Sequence, residues 1–169
     1  MKKIPFLVLS ALSMLIFSCS NNKEFAQVFK GNDWINIKTL GSFGGYEGDV
    51  CSRIDSVYHD SYGFRKKTNE ITPNPIKRVK ISLWLKVEDI NKKLNLAISL
   101  SEKNKAILWE GIDIKSFIKI NEANKWYKFE FTKLLPEYEV EDAQFETYVY
   151  NSDNNIVYID DFQIRFFEE

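Results

Sequence analysis

The feature that most constrains the fold is a strict two-residue alternation of apolar and polar side chains. In IKRVKISLWLKV (76–87) the alternating apolar residues are Val79, Ile81, Leu83 and Leu85. The segment LNLAISLS (94–101) repeats the pattern. Because successive side chains of a strand point to opposite faces, both segments are predicted to be strands with one buried face.

The rest of the chain also consists of short runs rich in Val, Ile, Phe and Tyr, which are separated by clusters of Asn, Gly, Asp, Pro and Lys. Clear strands are predicted at 105–114, 125–132, 144–151 and 156–167, and weaker ones in EFAQVF, WINIKTL, VCSRID and YGFRKK. The only helical candidate, IKSFIKIN (114–121), is long enough for one turn in a connection.

Nine or ten strands without a long helix between them indicate an all-β, two-sheet antiparallel β-sandwich. A jelly roll is the favoured topology, and a closed lipocalin-like barrel is the alternative. The uneven lengths of the loops at 69–75 and 134–142 favour the sandwich.

The N-terminus has the composition of an export signal. Lys2 and Lys3 precede an uncharged apolar run from Ile4 to Phe17, which is shorter than the roughly 20 residues of a membrane-spanning helix. The residues IFSC resemble the lipobox of bacterial lipoproteins, and this resemblance implies cleavage before a lipidated Cys19. A plain signal peptide cut nearby is the alternative.

The lipoprotein interpretation divides the chain into a signal peptide (1–18), a lipidated tether (19–24) and a β-sandwich domain (25–169). The resemblance also implies, from Ser20, an outer-membrane lipid anchor that leaves the protein on the periplasmic or cell-surface face. Membrane attachment is expected through the lipid alone.

The net charge and the cysteine content limit which classes of partner the protein can bind and which role Cys51 can have. Loss of residues 1–18 removes two lysines and shifts the net charge from −1 to −3, which argues against a nucleic-acid partner. With Cys19 acylated, Cys51 has no disulfide partner, and we expect it to be a small buried hydrophobe.

No catalytic constellation emerges, and a non-catalytic protein is predicted. His59 is the only histidine, which excludes a zinc site assembled from several histidines, and we expect it to be a solvated side chain in a polar loop. No nucleophile elbow, P-loop or dinucleotide fingerprint is present. A glycosidase needs only two carboxylates, but the domain has no insertion long enough to form a deep cleft.

Two adjacent acids interrupt the last strand. In IVYIDDFQIRFF (156–167), the apolar phase changes at Asp160 and Asp161. A β-bulge there would keep Val157, Ile159, Phe162 and Ile164 on the inner face and turn one carboxylate toward the sheet edge. Such a carboxylate needs either a cation or backbone N–H donors.

The strand order resembles the galactose-binding-like jelly rolls of non-catalytic carbohydrate-binding modules. The similarity is carried by a VYIDDF final strand, a WYKF strand before it, the VKISLWLK strand and the segment GDVCSRIDSVYHDSYGF. In that family the acids of the last strand often join a structural calcium site. The resemblance therefore implies a Ca²⁺ site in which Asp161 is the favoured ligand, Asp160 is the second acid of the pair, and Glu47 or Asp49 is a partner ligand. The alternative is that N–H groups or water satisfy the carboxylates.

A glycan site would need exposed aromatic rings beside polar groups. Trp84 faces away from the apolar side of its strand, and Tyr148 and Tyr150 share a face, so the three could pave a concave sheet together. Tyr46 and Tyr62 lie in loops rich in Gly and Asp. Trp109 and Trp126 are expected in core or edge packing. The predicted function is glycan binding, and the alternative is an envelope interaction or scaffold module that docks another protein.

Overall fold

The structure, a computed structural model, describes residues 24–25 and 34–168. In chain order, the described strands are β1 Glu24–Phe25, β2 Trp34–Ile35, β3 Leu40–Ser42, β4 Val50–Ile54, β5 Gly63–Lys67, β6 Arg78–Val87, β7 Asn95–Glu102, β8 Lys105–Asp113, β9 Trp126–Leu134, β10 Ala143–Tyr150 and β11 Val157–Phe167. Short 3₁₀ helices occupy Ile37–Thr39, Thr68–Glu70, Ile114–Ser116 and Val140–Asp142.

The strands form two antiparallel sheets, as predicted. The six-stranded sheet has the order β3-β4-β11-β6-β9, with β1 also paired to β11, and the five-stranded sheet has the order β2-β5-β10-β7-β8. The sheets are separate layers, so the sandwich prediction is confirmed and the closed barrel is wrong. The predicted helical turn is the 3₁₀ helix Ile114–Ser116. Within the described ranges, no helix is long and apolar enough to cross a membrane.

The alternating residues that predicted the strands fill the space between the sheets. Every second residue of β6, from Val79 to Val87, is fully buried. Phe145 of β10 meets Phe166 of β11 edge to face at 5.3 Å, and Phe64 of β5 lies 5.9 Å from Phe166. The two sheets therefore interlock through aromatic side chains, which also gain quadrupolar stabilisation from the tilted geometry.

The predicted bulge is present in β11. The pairing of β11 with β6 runs from Asp160 opposite Trp84 to Gln163 opposite Ser82, so two residues face Leu83 alone. Asp161 takes the extra position with a φ of 47°, a left-handed conformation that Asp tolerates better than most residues. As a result Phe162 packs against the core together with the fully buried Val157.

Candidate functional site

The outer face of the five-stranded sheet carries an aromatic and polar surface that crosses four strands. Register places Arg65 of β5 opposite Glu146 of β10, Glu146 opposite Ser99 of β7, and Ser99 opposite Trp109 of β8. The next row toward the Tyr150 end contains Tyr148, Ala97 and Gly111. We call this surface the five-stranded face.

Trp109 is the most exposed ring of this face, with 66% of its surface accessible. A Cβ built on Gly111 would lie 3.7 Å from the Cη2 atom of Trp109, so the indole leans along its own strand over the glycine. Tyr148 stands two strands away, across Ala97, at a spacing of about 10 Å. The small side chains between Trp109 and Tyr148 leave a shallow area of the surface that is bounded by the two aromatic rings.

Charged groups flank the rings. The Arg65 Nη2 atom donates to Glu146 Oε1 at 2.6 Å, and this bond raises the pKa of the guanidinium. Burial raises the pKa of the Tyr148 phenol, and the nearby Asp60 and Glu146 carboxylates add to the effect. Burial also raises the pKa of Asp60, which pairs with Tyr150 in an isolated bridge. The face therefore offers several hydrogen-bonding groups. The Arg65 guanidinium on β5 is already paired with the Glu146 carboxylate.

The outer face of the six-stranded sheet carries a second aromatic cluster. Tyr46 stacks on Trp84 with ring centroids 3.7 Å apart, and Trp126 meets Tyr46 edge to face at 6.1 Å. The Lys86 ammonium lies 4.8 Å from the ring centroid of Trp126 and 4.4 Å from that of Tyr158. These rings therefore contact one another or the Lys86 ammonium within the cluster.

Asp160 fastens the loop that covers this cluster. Its Oδ2 atom accepts hydrogen bonds from the backbone N–H groups of Tyr46 at 2.7 Å and Glu47 at 3.1 Å, and its Oδ1 accepts from the Asp161 N–H at 2.8 Å. A Cβ on Gly45 would come within 2.7 Å of Oδ2. A larger residue at position 45 would therefore collide with the carboxylate that holds the loop.

These contacts bear on the calcium prediction. Asp160 has the N–H donors named as the alternative to a cation, and the Asp161 Oδ1 atom accepts from Gln163 Nε2 at 2.7 Å. Glu47 and Asp49 are exposed. Among the described residues, no group of three or more His, Cys, Asp or Glu side chains is placed to hold a metal ion. Calcium at these four acids stays an untested prediction.

The predicted ligand-binding aromatics fall in three separate places. Tyr148 and Tyr150 lie on the five-stranded face, whereas Trp84 and Tyr46 lie on the opposite side of the sandwich. The expectation that Trp84 paves one sheet together with Tyr148 and Tyr150 is therefore wrong, because β6 and β10 belong to different sheets. Tyr62 stacks on Trp34 at 4.6 Å, and Trp34 packs against the core.

Sequence reasoning missed Trp109. Its strand is at the sheet edge, as expected, but its ring is exposed rather than packed. The available signal was that Trp109 alternates with Leu108, Glu110 and Ile112 and shares its side with Gly111 and Asp113. Trp126 does pack at an edge strand. Cys51 is buried, as predicted, and burial raises the pKa of its thiol. His59 is exposed.

Structural comparison identifies carbohydrate-binding modules of the same jelly-roll fold. The N-terminal CBM22-1–CBM22-2 tandem domain of Paenibacillus barcinonensis Xyn10C aligns with a TM-score of 0.57 at 15% identity, covering 81% of this chain and 47% of the tandem. The CBM22-2 xylan-binding domain of the same protein gives 0.52 at 14% identity, covering 80% and 92%. A xylan-binding domain from CBM 22 gives 0.51 at 15% identity, covering 82% and 89%.

No protein-family model matches the sequence, and no curated protein matches it significantly. At these low identities the structural similarity establishes the fold alone. The chain is an all-β, two-sheet jelly roll of the architecture used by carbohydrate-binding modules.

Proposed function

We propose that this protein is a lipid-anchored, non-catalytic glycan-binding module whose ligand lies on the five-stranded face. The observation that carries the proposal is the exposed indole of Trp109 lying over Gly111, with Tyr148 across the Ala97 floor. The exposed indole of Trp109 presents a flat apolar surface that the apolar side of a sugar ring could cover.

The chemistry of the face favours a neutral glycan chain. The apolar side of a pyranose can stack on the Trp109 ring, while Arg65, Glu146 and Ser99 in the same row can bond hydroxyl groups. Arg65 and Glu146 balance each other in an ion pair, so neither offers a free charge to an acidic sugar, and the Asp60 carboxyl near Tyr148 offers no cation. Two rings about 10 Å apart are too far apart to contact a single monosaccharide together, and suit two non-adjacent residues of an extended chain.

Affinity electrophoresis through gels containing neutral polysaccharides tests this proposal. Xylan is the first choice because two of the structurally similar modules are described as xylan-binding, and a glycan array of neutral oligosaccharides should accompany it. Retention that is lost with Trp109→Ala and reduced with Tyr148→Ala is the expected result.

The matched control is Tyr46→Ala, which removes an aromatic ring of similar size from the opposite face. Retention should survive this change. Loss with Tyr46→Ala or Trp84→Ala and not with Trp109→Ala would move the site to the six-stranded sheet. If wild-type protein is retained by no polysaccharide, glycan binding fails altogether.

The anchoring part of the proposal rests on the N-terminal residues, which lie outside the described ranges. The signal-like apolar run and the IFSC motif support cleavage before Cys19, its acylation and attachment to the outer membrane on the periplasmic or surface side. Fractionation of cells expressing Cys19→Ser should find the protein released from membranes. Continued membrane retention of that variant would refute lipid anchoring.

A second candidate function is docking of another envelope protein. It is favoured by apolar side chains exposed near the edge strand β3, where Ile37 is 63% and Val50 55% accessible. Cross-linking in intact cells, compared between wild type and Val50→Ser, tests it. An adduct that depends on Val50, combined with no glycan retention, would favour the docking function.

A further inference from the structure

The five-stranded face continues beyond the row of Trp109 into a depression. Register places Lys67 of β5 opposite Gln144 of β10, and Gln144 opposite Ser101 of β7. Each of these positions lies two residues along its strand from the row that contains Trp109, so the side chains point to the same side of the sheet. The depression has a volume of about 240 Å³, and its lining includes Lys67, Ser101, Lys103, Asn104, Asp142 and Gln144. We call it the turn pocket, because the β7–β8 turn contributes to its lining.

The walls of the turn pocket are held in place by bonds within the protein. Lys103 and Asn104 form the two-residue β7–β8 turn, with φ values of 49° and 65°, a left-handed pair that is typical of tight hairpins. The Lys103 N–H donates to the Asp142 carbonyl at 3.2 Å, and the Lys103 ammonium pairs with the Asp142 carboxylate, also at 3.2 Å. The buried Thr68 hydroxyl donates to the Val140 carbonyl at 2.7 Å and so fixes the segment before β10. The pocket is therefore formed before a ligand arrives, which lowers the entropic cost of binding.

The charges that line the turn pocket balance. The lining contains two lysines, Lys67 and Lys103, and two acids, Glu141 and Asp142. Asp142 is paired with Lys103, and Glu141 Oε2 accepts from Asn69 Nδ2 at 2.9 Å. The lining therefore carries no net charge with which to attract an ionic ligand, in agreement with the neutral glycan proposed for the five-stranded face.

Three polar side chains of the turn pocket are left for a ligand. Within the part of the chain that the structure describes, the Lys67 ammonium, the Gln144 amide and the Ser101 hydroxyl have no hydrogen-bond or ion-pair partner. Lys67 is exposed, and the other two are half-buried. Donors and acceptors arranged around a depression in this way can bind the hydroxyl groups of a sugar.

We propose that the turn pocket binds a side branch of a neutral polysaccharide, an inference that rests on the glycan binding proposed for the five-stranded face. The line from Trp109 to Tyr148 crosses the strands, whereas the pocket lies to one side of that line. Along β10, four residues separate Tyr148 from Gln144, a distance of about 13 Å. An unbranched chain that follows the two rings does not enter the pocket, but a sugar attached to that chain can point along the strands into it.

Isothermal titration calorimetry with two xylan-derived oligosaccharides of equal backbone length, one linear and one with neutral arabinose branches, tests the proposal. The wild type should bind the branched oligosaccharide more tightly. Gln144→Ala and Lys67→Ala should each weaken binding of the branched oligosaccharide about 5-fold, the typical loss of one hydrogen bond, and leave binding of the linear one unchanged. If mannan retains the protein in place of xylan, linear and galactose-branched manno-oligosaccharides form the pair.

The matched control is Asn95→Ala, which removes a half-buried amide from the same face on the opposite side of the two rings. Its affinity for both oligosaccharides should equal that of the wild type. Loss of the branch preference with Asn95→Ala and not with Gln144→Ala would overturn the proposal, because the branch would then point the other way.

Two further results would overturn the assignment of the turn pocket. One is a wild type that binds the linear oligosaccharide as tightly as the branched one, and the other is an equal loss for both ligands in Gln144→Ala and Lys67→Ala. Binding of the linear oligosaccharide that still depends on Trp109 would leave the glycan proposal intact in either case. Failure of the branch subsite is therefore separable from failure of the glycan proposal, which predicts retention of the wild type whether or not the chain is branched.

Discussion

Removing the Asp160 side chain should release the loop at 43–49 and destabilise the domain. Asp160→Ala deletes a carboxylate that accepts three backbone N–H bonds at 2.7, 3.1 and 2.8 Å. A hydrogen bond to a charged group contributes roughly 1.5–3 kcal/mol, and two of these three lie at exposed positions, where water replaces much of the loss. We expect a loss of about 3 kcal/mol in the free energy of unfolding.

For a domain of this size, that loss corresponds to a fall in Tm of roughly 6–12 °C. Differential scanning calorimetry measures the fall, and near-ultraviolet circular dichroism should report loss of the Tyr46–Trp84 stack. Asp161→Asn is the matched control, because it removes one charge from the adjacent residue, keeps all three bonds to Asp160 and places Asn in a left-handed conformation that it tolerates. Its Tm should change by little.

Two results would refute this reasoning. Equal Tm values for the Asp160→Ala and Asp161→Asn variants would show that the three amide bonds do not stabilise the loop. A wild-type Tm that falls when a chelator is added would show that a bound cation, and not the N–H groups alone, holds the acids, as the calcium prediction requires.

Trp109→Ala should weaken binding of a neutral oligosaccharide about 10-fold, measured by isothermal titration calorimetry, because one face of an exposed indole contributes about 1–2 kcal/mol when covered; an unchanged Kd would argue against the five-stranded face. Phe145→Ala should cost about 3–5 kcal/mol in urea unfolding, since the ring is fully buried between the sheets, and a loss below about 1 kcal/mol would contradict the packing described. Because burial raises the pKa of Asp60, its contribution to stability is complete below the unfolded pKa and is lost as pH rises through the folded pKa. Asp60→Asn should therefore be more stable than wild type at neutral pH, with a smaller difference at acid pH, and the opposite trend in urea titrations would refute the sign.

The strands and the bulge were predictable because their signals are local. β6 buries alternate residues, and the phase change at Asp160 and Asp161 requires one extra residue in β11, whichever strands flank it. The predicted end of each strong strand differs from the observed one by at most a few residues, which is the usual range for the fraying ends of strands.

The site was only partly predictable because it depends on which strands become neighbours. Tyr148 and Tyr150 were identified from their own strand, but nothing in the local pattern assigns β6 and β10 to different sheets. The Asp160 contact with Tyr46 joins residues 114 positions apart, so the sequence could indicate that the carboxylate needs donors without indicating which ones. Trp109 was misjudged because its strand also carries exposed apolar residues, which blurs the contrast between its two faces.

On the five-stranded face, Trp109 and Tyr148 belong to strands that differ in how many neighbours they have. Tyr148 belongs to β10, which is hydrogen-bonded on both sides, whereas Trp109 belongs to β8, whose one partner among the described strands is β7. Terminal strands open more readily than interior ones. We therefore expect Tyr148 to be held rigidly and Trp109 to be the more mobile of the two. A site with one mobile ring would accommodate polysaccharide chains of different width. The amides of β8 should therefore exchange with deuterium more slowly once a ligand is bound.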